Sequence, residues 1–65
     1  MNDQLLQNAW RMHQAGKLAE AQRLYQEVLR LNPKHFPALQ MLAYLHFQRG
    51  EFLDAEKMMG RALKL

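Results

Sequence analysis

Few residues of this chain are equipped for chemistry. There are three histidines (His13, His35 and His46), six acids and nine basic residues, and there is no Cys, Ser or Thr. A hydroxyl nucleophile other than tyrosine is therefore excluded, as are disulfides and thiolate metal sites. No two histidines share a helix at ligand spacing, and no carboxylate pairs with them in sequence, so no metal is expected. His35 falls in a loop, and His46 reads as a hydrogen-bonded packing residue. Glu20, Glu27, Asp54 and Glu56 stand beside Arg23, Arg30 and Lys57, mostly at helical neighbour spacing. These are solvated ion pairs worth a few tenths of a kcal/mol each. The expectation is a non-enzyme without a cofactor.

The net charge is +3. The basic residues are scattered rather than gathered into a stripe, which argues against a nucleic-acid partner. No apolar run is long enough to span a membrane. Met1 to Gln7 carries no Lys or Arg, so it does not read as a signal peptide. With cysteine absent, a cytoplasmic location is expected. A chain of 65 residues, 49% of them hydrophobic, makes one small globular unit with a thin core.

Such residues must be positioned by helices. Gly16 and Gly50 are 34 positions apart, and their surroundings match: Leu5 with Leu39, Ala9 with Ala43, Ala21 with Ala55, Leu29 with Leu63. A fixed period of this length marks stacked supersecondary units. Apolar residues recur at helical spacing in four segments, about 3–14, 18–31, 37–49 and 52–64. Val28 is the one Val, Ile or Thr. Gly16 and Gly50 suit a left-handed residue after a helix, and Pro37 suits a first turn. The fold predicted is all-α, two antiparallel hairpins.

On these residues the chain resembles the tetratricopeptide repeat (TPR) family. Gly16, Leu18, Ala21, Tyr25, Val28 and Pro33 match its pattern in a first repeat, residues 2–35. Gly50, Phe52, Ala55, Met59 and Ala62 match it in a second, residues 36–65, which stops short of a full unit. Leu5 and Leu39 stand where the family often has Trp, Asn8 where it usually has Leu, and Ala9 and Ala43 replace a common Gly. The resemblance implies a right-handed superhelical stack and a protein-interaction or scaffold role. The register also resembles N-terminal repeats of longer bacterial proteins. That implies an alternative role, the adaptor or dimerisation region of a glycosyltransferase- or sulfotransferase-type enzyme whose catalytic domain is absent from this chain.

In the TPR arrangement one side of each first helix packs on the preceding repeat. That side is Ala38, Met41 and Leu45 in repeat 2 but Gln4, Gln7 and Arg11 in repeat 1. The first helix is therefore expected to act as an N-terminal cap, close to a true start. The last helix has no polar cap after it. Its stripe of Phe52, Leu53, Met59, Leu63 and Leu65 is expected to drive self-association into a homo-oligomer.

The resemblance also places a concave groove on the first helices of the hairpins. Its residues here would be Leu6, Trp10, His13 and Gln14 from repeat 1, and Gln40, Tyr44, Phe47 and Gln48 from repeat 2. An aromatic, mostly uncharged groove fits a peptide or protein partner. Trp10, Tyr44 and Phe47 could instead pack on one another and set the angle between repeats. No Lys lies there, so an acidic C-terminal tail is not expected as ligand. This groove is expected to stay open when the last helix associates.

Overall fold

The computed structural model describes residues 3–64. It contains four helices, α1 (Asp3–Gln14), α2 (Leu18–Leu31), α3 (Phe36–Gln48) and α4 (Phe52–Leu63), with no strand among the described residues. α1 packs on α2, and α3 on α4. α3 also lies against α2 and, over a smaller area, α1. The two hairpins thus stand side by side, as the 34-residue interval requires.

Both hairpin turns are closed in the same way. Gly16 and Gly50 have φ of 81° and 77°, a left-handed conformation that is cheap only without a Cβ. In the first turn, Lys17 N–H donates to Met12 C=O at 2.9 Å and Gly16 N–H to His13 C=O at 3.1 Å. In the second, Glu51 N–H donates to His46 C=O at 2.8 Å and Gly50 N–H to Phe47 C=O at 3.0 Å. These paired bonds satisfy carbonyls that the helix end would otherwise leave open.

α3 starts at Phe36, one residue before the expected start at Pro37. His35 is the reason: its Nδ1 accepts from the Ala38 N–H at 3.2 Å and caps the helix, with Pro37 in the first turn. α3 and α4 each end one residue earlier than expected, within the usual fraying of helix ends.

The core is one cluster in which Ala38, Leu42 and Leu45 of α3 join Ala21, Tyr25, Val28 and Leu29 of α2 and Ala9 of α1. Ala38 and Leu45 are fully buried and Met41 is half-buried, whereas Gln4, Gln7 and Arg11 are exposed. The difference between the two first helices is thus the expected one. No helix is long and apolar enough to cross a membrane among the described residues.

Candidate functional site

An open apolar cavity of about 660 Å³ lies between α3 and α4, with Trp10 of α1 at its edge. From α3 it is lined by Gln40, Met41, Ala43, Tyr44 and Phe47. From α4 it is lined by Phe52, Ala55, Glu56 and Met59. Phe47 and Phe52 meet edge-to-face across the helix turn, with ring centroids 5.3 Å apart. They are nevertheless 60% and 61% exposed, and Tyr44 is 52% exposed. Four of the eight expected groove residues (Trp10, Gln40, Tyr44 and Phe47) line this cavity.

The other four do not line it. Leu6 packs half-buried against the core, and Gln14 is exposed away from the cavity. His13 was expected on the open groove but is 6% exposed. Its Nδ1 lies 3.0 Å from the Tyr25 hydroxyl, and its Nε2 meets Oε1 of Gln48 from the second hairpin. With that oxygen as acceptor, His13 donates from Nε2 and accepts the Tyr25 O–H at Nδ1. Trp10 and Tyr44 each pack on the His13 ring, with centroids 5.4 Å away. His13 and Gln48 therefore tie the hairpins together. Trp10 and Tyr44 thus meet through the His13 ring, Phe47 packs on Phe52, and all three line the cavity.

A family model described as tetratricopeptide repeat matches residues 12–65, well over half of the chain. The chain belongs to the tetratricopeptide repeat family. No curated protein and no solved structure gives a significant match. TPR membership makes the chain a protein-interaction module in general type, and such domains are typically non-catalytic.

Seen as a TPR array, the cavity has a counterpart. Moving its residues back by 34 positions turns Tyr44 into Trp10, Phe47 into His13, Phe52 into Leu18, Ala55 into Ala21, Glu56 into Gln22 and Met59 into Tyr25. In the first repeat this surface is covered by α3. Tyr25 is 0% exposed where Met59 is 38%, and Leu29 is 7% exposed where Leu63 is 80%. Trp10 and Leu18 are half-buried.

Of the residues expected to mediate self-association, Phe52 and Met59 line the cavity. Leu63, four residues beyond Met59 on the same helical face, extends that stripe past it. Leu53 stands apart, because its counterpart Ala19 is exposed in the first repeat as well. Leu65 lies outside the described residues. The two surfaces expected to be separate, groove and last-helix stripe, thus share one cavity.

The histidines carry one correction. His46 does meet carboxylates: its Nδ1–H donates to Glu51 Oε1 at 2.7 Å, and Asp54 lies close enough that donor atoms of all three are within 4.8 Å. The hydrogen bond from His46 holds the Glu51 carboxyl below the usual carboxylate range, aided by Arg49. Arg49 Nε lies 3.5 Å from Glu51 Oε2, so a guanidinium already offsets part of the charge a metal would neutralise. The turn and the helix joined the pair, which a search along single helices does not detect. The solvated ion pair Glu27–Arg30 forms as expected, lowering the Glu27 and raising the Arg30 pKa through their hydrogen bond.

Proposed function

We propose that this TPR chain binds partner proteins through the cavity between α3 and α4, and that a second copy of the chain is one such partner. One observation carries the reading: surface that is buried in the first repeat is open in the second, and it is lined by Tyr44, Phe47, Phe52 and Met59. Aromatic side chains supply contact area at small entropic cost and anchor interfaces. Glu56 is the one charged residue among those lining the cavity, which supports the expectation that an acidic tail is not the ligand. Burial of several such side chains at about 1.5–3 kcal/mol each outweighs an association cost of several kcal/mol.

Sedimentation equilibrium tests this reading. The chain should associate at high micromolar concentration, and Phe47→Ala or Phe52→Ala should weaken association by about 1–2 kcal/mol while leaving helical circular dichroism intact. A wild-type monomer at millimolar concentration, or parallel loss of helicity and association in the variants, would contradict it.

A further inference from the structure

We infer that the cavity between α3 and α4 is a seat for one amphipathic helix whose contact face follows that of α3, with an apolar residue in place of Gln48 and a basic residue in place of Arg49. The inference rests on the proposed interaction surface and specifies what fills it. The chain itself contains the template. On the matching surface of the first repeat sits a helix, α3, that contributes Ala38, Leu42 and Leu45 to the shared core. Their i, i+4, i+7 spacing puts them on one helical face. Small residues recur in both seats, with Ala9 and Ala21 in the first and Ala43 and Ala55 in the second, all buried. Each seat therefore keeps the close approach that admits a helix.

Where the two seats differ, they state what the incoming helix must carry. In the first seat, Gln48 at the end of α3 bonds His13. The second seat has Phe47 at that place. A Gln there would lose its partner on desolvation, which favours an apolar residue. In the first seat, Arg49 Nη1 donates to Gln22 Oε1 at 2.7 Å. The second seat offers Glu56, so a cation at the same place gains an opposite charge. Met59 in place of Tyr25 gives the floor a side chain that adapts its shape.

The test uses the full chain and a synthetic peptide of residues 36–49 carrying Gln48→Leu, with Phe47→Glu for solubility. A second peptide adds Arg49→Glu. Binding is read from the emission of Trp10, the one tryptophan of the chain, which sits at the cavity edge. At low salt both peptides should bind saturably, the Arg49 form about two- to fivefold tighter, as for an exposed ion pair. Glu56→Lys should reverse that order, and Met59→Lys should abolish binding of both. Equal affinities, an order that survives Glu56→Lys, or equal binding by a peptide of scrambled order would overturn the helix assignment while leaving the cavity an interaction surface. Unchanged Trp10 emission at all peptide concentrations would also overturn it. Sedimentation of the chain alone judges the underlying surface independently.

Discussion

His13 shows how a single side chain can be misplaced by reading one helix at a time. On α1 it shares a face with Leu6 and Trp10, which suggested an open groove. Its partners, Tyr25 and Gln48, lie 12 and 35 residues away. Local periodicity carries no trace of such distances, so the buried contact was not legible, whereas the exposure of Tyr44 and Phe47 was. Tyr25 is the fixed point of this lock. Its ring is fully buried, and burial pushes its phenol up to about 12. Tyr25→Phe would leave Nδ1 of His13 buried without a donor, and urea unfolding should show a loss of about 1–3 kcal/mol. A loss near zero would mean that water replaces the bond. The raised phenol also sets an alkaline limit. A folded-state value above the unfolded one gives stability that is fully present below pH about 10 and lost as pH rises toward about 12. At most, about 3 kcal/mol is at stake over that interval. Circular dichroism at rising pH should show this loss in wild type and a weaker dependence in Tyr25→Phe.

At the scale of elements, the hairpins were legible because local signals and the repeat agree. Glycine, the matched interval and the helical spacing of apolar residues all point to the same turns. Nothing lies within 4 Å of a Cβ built on Gly16 or Gly50. The restriction there is conformational rather than steric. Gly50→Ala should therefore cost about 1–2 kcal/mol, and Gly50→Asn less, because Asn tolerates the left-handed region. Thermal unfolding of the two variants checks the order, and an Ala variant as stable as wild type would contradict it. Less legible was the start of α3. His35 is not among the preferred capping residues, so its ring nitrogen accepting from Ala38 was hidden behind Pro37. Also hidden was the merging of groove and stripe. Helix by helix, the groove falls on α1 and α3 and the stripe on α4, but a hairpin brings Tyr44 and Phe47 beside Phe52 and Met59.

At the scale of the molecule, the chain is a slab of 27 × 25 × 13 Å. A body this thin buries little apolar area, so each covered side chain weighs heavily in its stability. One repeat has its seat filled by α3, while the other presents the same kind of surface to solvent. On the proposed reading this asymmetry joins fold to function, since a partner covering the second seat would stabilise the array as it binds. Methyl-labelled methionine NMR across a concentration series tests that claim most directly. Met41 and Met59 line the cavity, while Met12 packs against the core and Met58 lines a different depression. From micromolar to millimolar concentration, the Met41 and Met59 methyl signals should shift together while those of Met12 and Met58 hold still. Four stationary signals, or movement at Met12 and Met58 instead, would contradict the assignment of this cavity as the surface through which the chain meets its partners.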